Sequence, residues 1–328
     1  MSTPLIAHIV YRLDYGGLEN GLANLINGLP AGGYRHAVIC LTTFTDFSVR
    51  IRRDDVEVFA LDKRPGKDPK TYLRLWRLLR RLRPRVVHTR NTGTIDCSVI
   101  AFLAGVPVRL HGYHGWDAAD LHGRNPRGVR LRRWCDPFIA TYVTVSRHIA
   151  DWLTQPQGVA AARIRPICNG VDTDRFCPGS SAAEPLFPDA EHDAPFVIGT
   201  VGRLDPVKDQ CSLARAFVDL VRTQPDLARR ARLVFVGDGE MRSQIAAILA
   251  SGGVDDTARI LGWRDDIGEL LKQFDVFVLP SLNEGISNTL LEAMATALPI
   301  PATRVGGNVA VLGDGETGVL VGAGDAGR

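Results

Sequence analysis

The feature that most limits how this chain can fold is an alternation. Short runs rich in Val and Ile, with little polar–apolar alternation, are separated by stretches of helical period, in both halves of the sequence. In the first half these runs are LIAHIVY (5–11), HAVICLT (36–42), VVHT (86–89), PVRL (107–110), TYVTVS (141–146) and IRPIC (164–168). In the second half they are FVIGTVG (196–202), LVFVG (233–237), DVFVLP (275–280), LPIPAT (298–303) and TGVLV (317–321). A continuous apolar run is the mark of a strand buried on both faces, as in a parallel sheet covered by helices. Segments such as LENGLANLINGL (18–29), YLRLWRLLRRLR (72–83) and SLARAFVDLVRT (212–223) supply the helices. The predicted fold class is α/β, with two doubly wound domains. A length of 328 residues fits two domains of roughly 150 each. The boundary falls at 171/172. The stretch 172–195, rich in Gly, Pro, Ser and Asp, reads as a linker.

Composition removes several classes. A net charge of +3 does not by itself point to nucleic acid, and no nucleic-acid partner is expected. The six cysteines (40, 97, 135, 168, 177 and 211) form no Cys-x-x-Cys pair and no zinc-finger spacing. Reduced thiols in a cytoplasmic protein are the expectation. The amino terminus lacks the basic region and cleavage site of a signal peptide. No apolar run approaches the roughly 18 residues of a membrane span.

Four segments can carry chemistry, each after a predicted strand. The first is PSLNEGISNTLLEAMATALP (280–299), with Ser287 or Asn288 as helix N-cap and Pro299 as the stop. Glu284 falls in the loop before the helix and Glu292 one turn inside it. A ligand across the helix N-terminus could touch both, with free N–H groups for a phosphate and carboxylates for sugar hydroxyls. The same pair also fits a dipole-offsetting Glu284 and a solvated Glu292. The second is VGRLDPVKD (201–209), where Arg203 and Lys208 could neutralise a diphosphate without a metal, or could be solvated surface cations.

The third is DYGGLEN (14–20), whose Gly16 and Gly17 allow close backbone approach at a helix start, or mean only a tight turn. It matches neither a dinucleotide fingerprint nor a Walker A loop. The fourth is RLHGYHGWD (109–117), where His111, His114 and Asp117 raise a metal site that lacks another strong ligand nearby. No metal is assigned.

At these segments the sequence resembles the retaining glycosyltransferases of family 4, which have the GT-B fold of two facing Rossmann-like domains. NEGISNTLLEA matches the family's Glu-x7-Glu motif, and VGRLDPVKD its Gly-Arg-x-x-x-x-Lys loop. LVFVGDGE (233–240), GWRDDIGELL (262–271) and CNGVDTDRF (168–176) are also similar to family segments, in the family's order. HGYHGWD is similar to a bacterial subgroup of sugar transferases linked to exopolysaccharide genes, the PEP-CTERM/EpsH type.

The resemblance implies a nucleotide-sugar donor and no separate cofactor. Arg203 and Lys208 would hold the diphosphate, and Glu292 the ribose. Glu284 would face the transferred sugar beside the amides of Gly285, Ile286, Ser287 and Asn288. The loop bearing Arg264 would pass the base. Gly16 and Gly17 would close on the phosphates from the first domain. His114 would lie near the reacting carbon, with His111 as the alternative. Catalysis would rest on His114, Glu284, Arg203 and Lys208. The acceptor would be a saccharide or a lipid-linked saccharide.

The chain departs from the family pattern at Pro301, where a small or β-branched strand residue is usual, and at Ala310, where Glu is common. It also stops at GDAGR without the family's closing helices, which leads us to expect loosely tied domains and weak turnover. A nucleotide-sugar epimerase and a truncated, non-catalytic nucleotide-sugar-binding relative are the competing readings. A further cluster lies at 63–90, where eleven basic residues face Asp68 alone. Its helix carries an apolar stripe of Tyr72, Leu75, Trp76, Leu79 and Leu82. It reads either as a core-packed helix with a solvated Arg face, or as a dock for an anionic membrane at the inner face of the cytoplasmic membrane.

Overall fold

Every apolar run named above contains a strand. A computed structural model of the chain describes residues 3–30, 32–115, 120, 123–188, 194–313 and 317–324. It divides into two units, Met1–Asn169 and Gly170–Arg328.

The first unit is built on β1 (Leu5–Val10), β2 (Arg35–Cys40), β3 (Glu57–Ala60), β4 (Val86–Arg90), β5 (Val108–Tyr113), β6 (Thr141–Thr144) and β7 (Ile164–Pro166). They form one sheet in the order β3-β2-β1-β4-β5-β6-β7, parallel throughout. Its helices are α1 (Gly17–Gly28), α2 (Pro69–Leu82), α3 (Cys97–Leu103), α4 (Pro126–Cys135) and α5 (Arg147–Thr154). One face of the sheet packs Ala7, Ile9, Ile39 and Val87 against Leu75, Leu78 and Leu79 of α2 and Cys97 and Ala101 of α3. The other packs Val10, Val38 and Cys40 against Leu22, Ala23 and Ile26 of α1. Both faces are dry, as continuous apolar strands require.

On α2 the buried residues are Thr71, Leu75, Leu78 and Leu79. The predicted stripe is therefore corrected. Trp76 is exposed and Tyr72 and Leu82 are only partly buried, while Leu78 joins the core. Leu75 and Leu79 are common to both faces, and the buried face is turned from Trp76 toward Leu78.

The second unit contains β8 (Phe196–Val201), β9 (Ala231–Val236), β10 (Ala258–Ile260), β11 (Val276–Phe277), β12 (Pro301–Thr303) and β13 (Val319–Val321). Its helices are α6 (Gln210–Thr223), α7 (Pro225–Ala228), α8 (Arg242–Ser251), α9 (Ile267–Leu271), α10 (Asn288–Ala295) and α11 (Gly306–Leu312). The strands pair in the orders β10-β9-β8-β11 and β12-β13. Pro301 explains the seam between these pieces. Phe277 N–H donates to Pro299 O, and Leu279 N–H to Pro301 O, both at 3.0 Å. The rung between them would need an N–H at 301, which proline lacks. The connection resumes where Thr303 N–H donates to Leu279 O at 3.0 Å.

The stretch composed like a linker is packed over part of its length. Phe176, Leu186 and Phe187 are buried in the core of the second unit. The carboxylate of Glu269 on α9 accepts from Ala182 N–H at 2.6 Å, and Gln273 accepts from Leu186 N–H at 2.8 Å. Its Gly, Pro and Ser content excludes regular structure but does not prevent burial of three large side chains.

Candidate active site

In a parallel sheet the chain reverses direction of winding where the strand order turns, and loops from the two adjacent strands part there to leave a crevice. In the second unit that point lies between β8 and β11. Two of the candidate segments, VGRLDPVKD and PSLNEGISNTLLEAMATALP, lie there. After β8, Gly202 and Arg203 lead into a 3-10 turn, Pro206–Lys208, capped by the side chain of Asp205. After β11, the segment through Ser281 and Glu284 leads into α10.

The two loops meet in an ion pair. Lys208 Nζ lies 2.5 Å from Glu284 Oε1, and Ser281 Oγ donates to the same oxygen at 2.7 Å. Glu284 is 9% exposed, so its carboxylate is fixed rather than solvated. Arg203 turns instead to Asp205, Nε to Oδ2 at 2.8 Å, and keeps more than half of its side chain open to solvent. Ser287 is the N-cap of α10, its Oγ accepting from Leu290 N–H. Glu292 is the fifth residue of that helix and partly buried. The helix ends at Ala295, with Ala297 at φ +62°, so it stops before Pro299 reaches it.

Two glycines hold the Glu284 loop. A Cβ on Gly306, at φ +45°, would lie 2.0 Å from Glu284 O. One on Gly307 would lie 1.7 Å from Gly285 O. Backbone lies directly on backbone here, and Gly307 N–H donates to Glu284 O at 3.1 Å. Beneath, Thr303 Oγ1 donates to Ser281 O at 2.5 Å, and Asn308 Nδ2 to Thr303 O at 3.0 Å. Ser281, Thr303 and the Gly306–Gly307 pair were not singled out from sequence. The roles of Thr303 and the two glycines depend on contacts across 20 or more residues. Arg264 is fixed to Asp266, Nε to Oδ1 at 2.8 Å, which holds that carboxyl below the usual range.

In the first unit the reversal lies between β1 and β4. Gly16 is the N-cap of α1 and Gly17 its first residue. Glu19, in the first turn, folds back so that its carboxylate lies 2.3 Å from where a Cβ on Gly16 would be.

His111 and His114 are separated by the pleat and the strand end. His111 is fully buried on β5, its Nδ1 2.8 Å from Thr89 Oγ1 and its ring between Tyr113 and Tyr142. Burial, then Arg132, lowers its pKa to about 3. His114 follows β5, is partly exposed, and is held by Arg90 Nη1 at 3.0 Å from Nε2. Burial, then the charge of Arg90, lowers its pKa well below the imidazole range. A shared metal does not follow from this pair, and Asp117 lies outside the described residues. Among the described residues no group of three His, Cys, Asp or Glu could hold a metal ion.

A row of histidines extends from His114 into the sheet. His8 pairs in register with His88, placing both on one face. His8 Nε2 lies 3.1 Å from His36 Nδ1 with the rings stacked. His88 lies between His8 and His114, at ring distances of 5.9 and 6.5 Å. This row escaped sequence reading because its members are far apart in the chain.

The geometry of both units agrees with comparison to known proteins. Residues 15–175 match the family described as Glycosyltransferase Family 4, and residues 195–328 that described as Glycosyl transferases group 1. The chain is a family 4 glycosyltransferase. It is 31% identical over 331 residues to the UDP-Gal:alpha-D-GlcNAc-diphosphoundecaprenol alpha-1,3-galactosyltransferase of Escherichia coli, covering 96% of this chain and 83% of that protein. It is 33% identical over 324 residues to the lipopolysaccharide core biosynthesis glycosyltransferase LpsE of Rhizobium meliloti, covering 98% and 85%. The fold is shared with Anabaena HepE, solved with UDP and glucose, at a TM-score of 0.79 and 20% identity, covering 98% of this chain and 87% of that one. The family 4 assignment carries with it the GT-B class, two Rossmann-like domains, and sugar transfer from a nucleotide-sugar donor. Among the described residues no helix is long and apolar enough to cross a membrane.

Proposed function

We propose that this glycosyltransferase moves a sugar, with retention of configuration and without a metal, from a nucleoside-diphosphate sugar to a hydroxyl of a saccharide or lipid-linked saccharide. It serves bacterial exopolysaccharide or glycolipid synthesis. The observation that carries the reading is the Lys208–Glu284 pair at 2.5 Å, beside the capped N-terminus of α10.

In this reading Lys208 and Arg203 take the charge that grows on the departing diphosphate, and the amides of Gly285–Asn288 add N–H groups to it. Glu284 accepts from the sugar's hydroxyls and Glu292 from the ribose. Arg264 borders the base. Gly16, Gly17 and His114 are the first unit's contribution. The bond from the anomeric carbon to the diphosphate oxygen breaks, and the acceptor oxygen bonds to the same face. The acceptor's proton leaves on the diphosphate, so no side chain is needed as base. The acceptor relations of the two named relatives support the substrate class: one acts on a diphosphoundecaprenol-linked sugar and one in lipopolysaccharide core synthesis.

A lipid-linked acceptor calls for access to a membrane surface, here the inner face of the cytoplasmic membrane. The first unit exposes a cluster that suits one. Phe102, Leu103 and Trp134 are exposed, Phe138 contacts both Phe102 and Trp134, and Trp76 Nε1 donates to Leu103 O. Arg77, Arg80, Arg81 and Arg133 are exposed on the neighbouring helices α2 and α4. Aromatic rings at the headgroup level beside arginines are an interfacial combination.

The test is thermal stabilisation by UDP-, GDP- and ADP-sugars in EDTA, followed by NMR of the product anomer with a lipid-linked acceptor. Stabilisation without metal and a retained anomer support the reading. Inversion, dependence on Mg²⁺, or an epimerised sugar formed without acceptor overturns it. Sedimentation with phosphatidylglycerol vesicles tests the surface, and binding unaffected by Trp134→Glu overturns that part.

A further inference from the structure

The guanidinium of Arg90 has no part in the function proposed above, yet it is enclosed directly beside His114. Arg90 ends β4, is 4% exposed, and directs Nη1 to Nε2 of His114 at 3.0 Å. Its Nε is buried without a hydrogen-bond partner. Burial lowers its pKa to about 10, and the carboxylate of Glu19 opposes that shift, so the group stays charged at neutral pH.

A guanidinium only donates. The ring nitrogen facing it must therefore accept, and a neutral imidazole that accepts at Nε2 carries its proton on Nδ1. Two further features keep that edge of the ring toward the sheet. Asn91 N–H donates to Gly112 O at 2.8 Å, and Asn91 Oδ1 accepts from His114 N–H at 2.8 Å. Asn91 adopts φ +55° to make both bonds. Gly112 has no side chain, and a Cβ there would lie 2.8 Å from Nε2 of both His114 and His88. Among the described residues Nδ1 has no hydrogen-bond partner, and this is the edge that would meet a ligand.

We propose that Arg90 is a positioning residue that fixes the tautomer of His114, so that His114 meets the sugar or diphosphate as a hydrogen-bond donor through Nδ1–H and not as a proton acceptor. This rests on the reading above that His114 borders the transferred sugar. It gives that histidine a definite role: an N–H aimed at an oxygen lone pair, which strengthens as negative charge grows on that oxygen. It also accounts for a histidine beside the reacting carbon that takes no proton from the acceptor.

The experiment is ¹⁵N NMR of the full chain labelled at histidine, with His114→Ala to assign the ring, beside steady-state kinetics from pH 5.5 to 8.5. We expect Nδ1–H at His114 across that range and no inflection in kcat from its titration. In Arg90→Met the proton should move to Nε2 or the ring should titrate, with kcat down tenfold or more and donor KM within threefold. Arg90→Lys, which keeps a donor charge, should restore part of kcat and the Nδ1–H signature. Gly112→Ala alters neither Arg90 nor His114 and should reduce kcat by displacing the ring, which covers the case that Arg90→Met does not fold. Nε2–H or a charged ring in the unaltered protein overturns the inference. So does an unmoved tautomer in a folded Arg90→Met. If the tautomer moves while kcat in both Arg90→Met and His114→Ala stays unchanged, the placement of His114 by the sugar is what fails, and the donor role falls with it.

Discussion

The two units are both built on parallel strands flanked by helices, and they use opposite electrostatics. The second unit builds its site from full charges that are paired in place: Lys208 with Glu284, Arg203 with Asp205, Arg264 with Asp266. The first builds its own from imidazoles beside the enclosed guanidinium of Arg90, with His36, His8, His88 and His114 in a row. A paired charge can sit beside a diphosphate over a wide pH range. A neutral imidazole offers a directed N–H or lone pair but is lost to protonation in acid. Partly buried acid–base pairs therefore suit a donor site, and the histidine row makes the first unit the pH-sensitive half.

The largest expected effect tests that contrast directly. Burial lowers the pKa of His8, His88 and His111. These groups stay neutral when folded and charge near pH 6.5 when unfolded, so their contribution is intact above about pH 6.5 and is lost as pH falls below it. For His111, whose folded value is about 3, the loss at pH 5 is about 2 kcal/mol, against typical domain stabilities of about 5–15 kcal/mol, and His8 and His88 act in the same direction. The second unit has no histidine among its described residues. Hydrogen exchange at pH 7.5 and 5 should show protection lost first in β1, β4 and β5, with β8 and β9 unaffected. Equal loss in both units would dissolve the comparison.

The next effect separates the two histidines of one loop. His111→Ala removes a buried ring and should cost about 2–4 kcal/mol of stability, with kcat per folded molecule nearly unchanged. His114→Ala should leave the melting temperature within a few degrees and lower kcat with donor Kd held. The reverse pattern would exchange their roles.

In the second unit, Lys208→Ala removes a charge-assisted contact of about 1.5–3 kcal/mol. Donor Kd, measured by calorimetry in EDTA, should rise tenfold or more. An unchanged Kd would make the pair with Glu284 structural. The smallest effect is at Ser281→Ala, which removes one hydrogen bond to Glu284 Oε1, about 0.5–1.5 kcal/mol. A two- to tenfold rise in Kd is expected, and none would mean Lys208 alone holds the carboxylate.

Legibility in the sequence followed the same division. The strands of both sheets were readable as apolar runs, except β3 (EVFA) and β10 (ARI). Both are short: β3 has three apolar residues after Glu57, and β10 has Arg259 at its centre, so neither gives a run of apolar residues long enough to stand out. The candidate residues of the second unit were readable because Arg203–Lys208 and Glu284–Glu292 lie within single strand–loop–helix segments, where the spacing is local. Arg90, Asn91 and Gly112 had no such signal. Each is ordinary in its own segment, and they meet only because β4 and β5 are neighbours in register.

By itself, then, the sequence determined what is local: which segments are strands buried on both faces, where α10 begins, and which loops bear paired cations and carboxylates. Only the tertiary structure decided what depends on neighbours distant in the chain. It placed His111 in the core and His114 just past the end of β5, three residues apart. It packed the 172–188 stretch on the second unit, set Gly307 against Gly285, and brought Arg90 to His114. The physical reason is that propensity and periodicity act within a few residues, whereas burial and hydrogen-bond geometry are properties of the assembled sheet, fixed by strand order and register.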